Sequence, residues 1–308
     1  MEAGARAEAT RGRPAAAASW LYGVRERFGD YIALTKPRVI SLLLVTTLAT
    51  MFVANSSPEI GVILATMLGG YLAAGGAGAI NHYIERDIDA RMARTSRRPL
   101  PDGRVEPRNA LWFGIALGVA AFALFAVAVN MTAALLAMAG LLGYVFVYTL
   151  WLKPITTQNI VIGGAAGAVP PLVGWAAAAG HLDASAFYLF AIVFYWTPPH
   201  FWALALLIKD DYARTGIPML PVVDGEAETR RQILLYGWLL LAITALPAIG
   251  GLFGSVYALS AAALDGVFLW LCLRLHRRAD RRSAAILFHY SLAYLALLFA
   301  AMAIDRLV

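Results

Sequence analysis

Charge is scarce in this sequence. Of 308 residues only 14% are Asp, Glu, Lys or Arg, 60% are hydrophobic, and the mean hydropathy is +0.68. A water-soluble domain of this length carries about a quarter charged residues. The shortfall excludes an ordinary cytosolic enzyme, a disordered chain and a collagen-like fibre. Cysteine is almost missing too: Cys272 stands alone, which excludes a disulfide framework and a Cys-rich metal site. No segment shows the apolar–polar alternation of a surface strand, and no soluble domain stands out. The chain is instead rich in long apolar runs.

A transmembrane helix needs about 20 mostly apolar residues. Runs of that kind occupy roughly 39–55, 59–80, 110–129, 131–150, 157–178, 185–208, 232–250, 256–273 and 284–304. Gly250, Gly251 and Gly254 blur the boundary between the seventh and eighth. The fold class expected is an all-α polytopic bundle of nine spans with a central cavity open toward the cytoplasmic side. Residues 1–38 are expected to form a mobile tail and surface segment, and 39–308 a single transmembrane domain. The tail is Arg-rich, but Glu2 and Glu8 interrupt the acid-poor pattern of a mitochondrial transit peptide. No small-residue cleavage site follows a short apolar core, so no cleavable signal peptide is expected, and a bacterial inner membrane is favoured over a mitochondrial one.

With nine spans, the tail and the second–third, fourth–fifth, sixth–seventh and eighth–ninth loops share one side. They hold every Lys and Arg except Arg306. The positive-inside rule makes that side cytoplasmic. Topology needs only positive charge, yet Glu85, Asp87, Asp89, Asp102 and Glu106 sit in one of these loops. Asp210, Asp211, Asp224, Glu226 and Glu228 sit in another. These carboxylates call for a second explanation.

Asn81, Glu85 and Asp89 recur every four residues. If the second span continues as helix, they line one face. An amide oxygen and two carboxylates at a membrane surface make a hard-oxygen site suited to Mg²⁺, which binds one or two carboxylates plus substrate phosphate. Arg94, Arg97 and Arg98 follow and supply guanidinium donors for phosphate oxygens. A solvated helix end with internal pairs such as Asp87–Arg91 is the plain alternative. Lys209-Asp210-Asp211-Tyr212 leaves the sixth span on the same side and could hold a second Mg²⁺ and the far end of a diphosphate. Together the two clusters outline a polyanion site at the mouth of a helix bundle, with a lipid tail free to lie among apolar helices.

Inside the sixth span, Pro198-Pro199 should kink or open the helix. His200 lies nine residues before Lys209, about 13 Å deep at 1.5 Å per residue. An intramembrane ionisable group is a functional candidate by default. It could wall a pocket for a large aromatic ligand, or simply bond a carbonyl freed by the kink. Pro170-Pro171 should distort the fifth span. His82 abuts the first cluster, as does Arg86. Thr35-Lys36-Pro37-Arg38 opens the first span as a surface anchor and possible phosphate contact. His289 reads as a buried packing group of the ninth span, and Asp265 falls in the eighth span or marks the outer end of a shorter helix.

The run Asn81, Glu85, Asp89, Arg94, Thr95, Arg97, Arg98, Pro99, Leu100 and Pro101 resembles the first signature of the UbiA-type intramembrane prenyltransferases. Thr197 through Trp202, and Gly216 through Val223, resemble its heme-farnesylating branch more particularly. The likeness spans about residues 31 to 304. It implies that Mg²⁺ holds the diphosphate of farnesyl diphosphate, with Asn81, Glu85 and Asp89 as the first metal motif and Asp211 with Asp210 as the second. It implies heme B as acceptor rather than cofactor, with His200 in contact and Trp202 and Phe201 as stacking partners. Lys36, Arg38, His82, Arg86 and Tyr212 join the substrate-binding set, and Lys209 joins Arg94, Arg97 and Arg98 on the departing diphosphate. The lipid bilayer, heme A synthase and cytochrome oxidase assembly factors are the implied partners, and nucleic acid is not. Two departures are visible: Glu85 stands where the common motif has Asp, and Thr215 where a second aspartate is usual. A quinone-ring or chlorophyll-type acceptor is the nearest alternative, and a transporter the alternative of another class.

Overall fold

The computed structural model describes residues 26–308. The tail arginines Arg6, Arg11, Arg13 and Arg25 lie outside the described residues. Among the described residues regular structure is entirely helical, and nine helices are long and apolar enough to cross a membrane. In order they are Pro37–Ala54, Ile60–Asp89, Pro107–Ala128, Met131–Ile155, Asn159–Ala179, Ala184–Leu207, Gly225–Ile249, Ser255–Arg278 and Arg281–Leu307. The chain is a multi-pass membrane protein. Large apolar side chains such as Leu64, Val119, Val127, Ile249 and Leu259 stand exposed on the outside of the bundle, where lipid tails replace water as solvent.

Local chemistry sets the helix ends. Pro37 and Pro107 occupy first-turn positions, where a missing N–H costs nothing. Asn130, Asp183 and Asp280 accept hydrogen bonds from first-turn amides. Positive φ at Gly251 helps close the turn between the seventh and eighth spans.

Three elements differ from the apolar-run reading. The second span does not stop near residue 80 but stays helical to Asp89, so the acidic cluster is carried on the span itself. The fifth is two helices, Asn159–Gly167 and Val169–Ala179, joined at Ala168 just before Pro170-Pro171. The sixth, in contrast, runs helical through Pro198-Pro199 from Ala184 to Leu207 and does not open there. Thr197 donates its hydroxyl to the Val193 carbonyl at 2.8 Å, back-bonding along the same helix.

The fifth and sixth spans are the most enclosed. The fifth packs against the first, fourth and sixth, and the sixth also against the seventh and ninth. Small residues permit the closest crossings. A Cβ at Gly76 would lie 2.7 Å from the Gly114 carbonyl, and one at Gly174 would lie 2.4 Å from that of Thr47. Such contacts let helices associate in lipid, where no hydrophobic force separates helix from solvent.

Candidate active site

The helical extension of the second span turns a sequence spacing into a face. Asn81, Glu85 and Asp89 are 1%, 6% and 2% exposed, and a carboxylate so buried needs a partner. Glu85 is ion-paired with Lys153 of the fourth span. Arg98 donates Nη1 to Asp89 Oδ2 at 2.7 Å. Lys36 donates to Asn81 Oδ1, while Asn81 Nδ2 donates to Thr149 Oγ1 at 3.2 Å.

The partners are placed by distinct backbone devices. Residues Gly143–Leu152 of the fourth span form a π-helix, a wider winding that recurs at functional sites. Thr149 and Lys153 leave it four residues apart and meet Asn81 and Glu85, also four apart. Tyr148, on the same stretch, seats its ring where a Cβ at Gly163 would intrude to 2.3 Å. Lys36 sits at a left-handed backbone position, φ 58° and ψ 55°, a conformation that costs a non-glycine residue free energy and persists where surrounding structure enforces it. Gly78 leaves room for the preceding turn, because its missing side chain lets the Leu34 and Thr35 carbonyls lie against the second span.

Half-buried Lys36 has its pKa pushed down to about 7, by burial first and by the Arg98 guanidinium next; Glu85 and Asp89 oppose the shift. These charges therefore form one electrostatic cluster. The loop from Arg91 folds back over it, as Thr95 donates its hydroxyl to the Asp89 carbonyl at 2.9 Å. The second acidic motif joins at the same place. Asp211, buried on the short helix Lys209–Thr215, accepts the Ala93 amide at 3.4 Å and pairs with Arg214. Tyr212 is buried in one apolar cluster with Met92 and Tyr148. The two motifs thus meet across the first polar loop.

The remaining candidates make other contacts. Lys209 pairs with Glu226, which raises its pKa, and does not reach the Asp89 cluster by any hydrogen bond. Asp210, Arg38, Arg94 and Arg97 are exposed. Arg86 bends over the Tyr83 ring and bonds its carbonyl at 2.7 Å. His82 is 2% exposed with neither ring nitrogen hydrogen-bonded, its Nδ1 3.9 Å from Asp89 Oδ2. Among the described residues, no three His, Cys, Asp or Glu side chains gather as a metal cage. Each acid is held by a base instead. The donor set is hard oxygen, the chemistry Mg²⁺ takes, and the surrounding bases suit the phosphate oxygens that would accompany it.

His200 forms a second locus. Its ring is stacked on Trp196 at 4.4 Å and on Phe288 at 4.9 Å. Trp202, expected to stack on the acceptor, packs edge-on against Tyr236 of the seventh span at 5.2 Å. Ser291 donates its hydroxyl to the Phe288 carbonyl at 2.7 Å, so its oxygen accepts the His200 Nδ1 hydrogen at 2.6 Å. That arrangement leaves a lone pair on Nε2. Sequence reasoning missed Ser291 and Thr149, and read Lys153 only as a topology marker. The sole signal for Lys153 was a lone cation between two apolar spans.

Residues 43–300 match the UbiA prenyltransferase family. The chain is 56% identical over 280 residues to protoheme IX farnesyltransferase of Roseiflexus sp. (strain RS-1), covering 91% of this chain and 52% of that protein. It is 55% identical to the same-named protein of Thermus thermophilus, over 91% of this chain and 46% of the relative. It therefore spans about half the length of these curated relatives. Against that of Gloeobacter violaceus it is 52% identical over 90% of this chain and 92% of the relative. Among solved structures, digeranylgeranylglyceryl phosphate synthase superposes with a TM-score of 0.75 at 18% identity, covering 92% of this chain and 99% of that one. A UbiA homolog from Archaeoglobus fulgidus bound to GPP and Mg²⁺ superposes with a TM-score of 0.65 at 16% identity, covering 89% and 99%. Those two likenesses establish the helical fold.

Proposed function

The chain belongs to the UbiA prenyltransferase family, and on that footing we propose that it transfers a farnesyl group from farnesyl diphosphate to a vinyl group of heme B, releasing diphosphate. The observation that carries this reading is the meeting of Asn81, Glu85 and Asp89 with Asp211 across Ala93, ringed by Lys36, Arg98 and Lys153. Asn81, Glu85, Asp89 and Asp211 would hold Mg²⁺, which when bound neutralises charge on the diphosphate and assists its departure. Released from Asn81, Lys36 can turn onto the diphosphate oxygens, and so can Lys153, Arg98 and Arg214 once freed of their acids. Fixed cations aimed at developing negative charge lower the barrier to breaking the allylic C–O bond. His82, with both ring nitrogens unbonded beside Asp89, serves as a further polar contact there.

The farnesyl cation must meet its acceptor before water, which the apolar walls around Tyr148 and Met92 favour. Attack by the vinyl carbon forms the new C–C bond and leaves a cation beside the porphyrin. Water adds to that carbon and loses a proton, giving the hydroxyethylfarnesyl arm of heme O. His200, with its Nδ1 hydrogen committed to Ser291, offers Nε2 to the heme. The likeness to heme-modifying relatives and the gathering of basic residues in the loops of one side together support a bacterial inner membrane with the site on its cytoplasmic side.

Mass spectrometry of heme after incubation of the purified protein with farnesyl diphosphate and Mg²⁺ tests the assignment. The expected result is a farnesylated heme that EDTA suppresses and added Mg²⁺ restores. If heme returns unmodified while 4-hydroxybenzoate is prenylated, the acceptor is a phenolic ring and the heme assignment fails.

A further inference from the structure

A second basic cluster lies far along the chain from the first, at the end of the eighth span. Arg274, Arg277, Arg278, Arg281 and Arg282 fall within nine residues with one acid, Asp280. Asp280 is committed to the ninth span, accepting the Ser283 amide at 2.6 Å and its hydroxyl at 3.2 Å. Among the described ion pairs, none includes any of these five arginines, although Arg98, Arg104, Arg214, Arg230 and Arg231 all pair.

The arginines border a cavity of about 310 Å³ lined by Trp270, Leu273, Arg274, Arg277 and Arg278. The Arg274 guanidinium lies over the Trp270 ring at 5.7 Å, and its Nε is buried with no hydrogen-bond partner. A buried donor left unbonded in the protein alone is a place where a ligand oxygen belongs. Trp270 is 57% exposed, one helical turn before Arg274, and exposed indoles are enriched at membrane interfaces. Below it Val267, Leu259 and Val256 continue one exposed apolar stripe along the same helix. The surface therefore changes within a few turns from unpaired guanidinium, through an interfacial aromatic, to bare hydrocarbon. That sequence of chemistries matches an amphiphile with an anionic phosphodiester head and acyl tails.

We infer that this end of the eighth span binds the headgroup of an anionic phospholipid at defined stoichiometry. Arg274 and Arg278 would grip the phosphate with their forked donors, and Trp270 and Leu259 would bed the tails. A soluble anion would not use the apolar stripe. A diffuse attraction of the leaflet for all basic loops would not need the Arg274 pocket.

Native mass spectrometry of the purified full chain, titrated with phosphatidylglycerol or phosphatidylcholine of matched acyl chains, decides between these. The wild type should retain phosphatidylglycerol in preference. The variant Arg274→Gln/Arg277→Gln/Arg278→Gln should lose that preference by about a hundredfold, each basic residue near the surface contributing about fivefold. A control lacking three charges elsewhere, Arg108→Gln/Arg231→Gln/Arg306→Gln, should keep it. Should the triple variant fail to fold, exposed Arg278→Gln alone should give a partial loss. Equal retention of the two lipids by the wild type overturns the site, and so does an equal loss in the control or no loss in the Arg278 variant.

Discussion

Removing Lys153 separates a structural pair from a catalytic one. Its side chain is 14% exposed and that of its partner Glu85 is 8% exposed, so Lys153→Met strands a carboxylate where water barely reaches. Breaking one side of a buried pair costs about 3–5 kcal/mol, most of it the penalty on the orphaned charge. Glu85→Gln strands the ammonium at a similar cost. Removing both in Glu85→Gln/Lys153→Met leaves two neutral groups of similar volume, and replacing a whole buried pair is often near neutral. The double variant should therefore be several kcal/mol more stable than the sum of the singles predicts, at or above the upper end of couplings usual for contacting residues. In thermal unfolding of detergent-solubilised protein each single should melt on the order of 10 °C below wild type, and the double should recover part of that loss. Farnesyl transfer should stay lost in the recovered double variant, because Glu85 and Lys153 act there on metal and diphosphate. Strict additivity in stability would refute the buried pairing. Activity returning together with stability would refute the site assignment.

Lys209→Met should change turnover less than about threefold, since an exposed pair such as Lys209–Glu226 contributes little; a drop beyond tenfold in farnesyl transfer would return Lys209 to the diphosphate. His200→Ala should weaken heme binding followed by Soret absorbance, while Ser291→Ala should shift the spectrum and preserve binding, and an unchanged spectrum in both removes His200 from the acceptor. Lys36 binds its proton more weakly folded, near pH 7, than unfolded, near 10.5. The unfolded chain then holds more protons across that window, so ligand-free stability should rise with pH from about 7 to 10. Lys36→Met should flatten the rise measured by thermal melts at several pH values, and a slope unchanged by the substitution refutes it.

Apolar run length made all nine spans legible, because a bilayer tolerates little else. Boundaries were legible only where polarity ends the helix: the second span was cut short near residue 80, since hydropathy falls there while the helix continues on packing and ion pairs to Asp89. The two double prolines looked alike in sequence and behaved differently. Pro170-Pro171 follows a break at Ala168, whereas Pro198-Pro199 is absorbed in a helix enclosed by its neighbours.

What the sequence by itself determined is the membrane architecture, the charged side, and the face formed by Asn81, Glu85 and Asp89, all consequences of composition or helical period. Only tertiary structure decided which bases complete that face. Lys36, Thr149, Lys153 and Asp211 come from distant segments, and a left-handed residue, a π-helix and a close glycine crossing bring them in. It also placed Lys209 on Glu226, and stacked Trp196 and Phe288 on His200. Periodicity encodes which side chains share a helix face; which neighbour that face meets depends on the packing of the whole bundle.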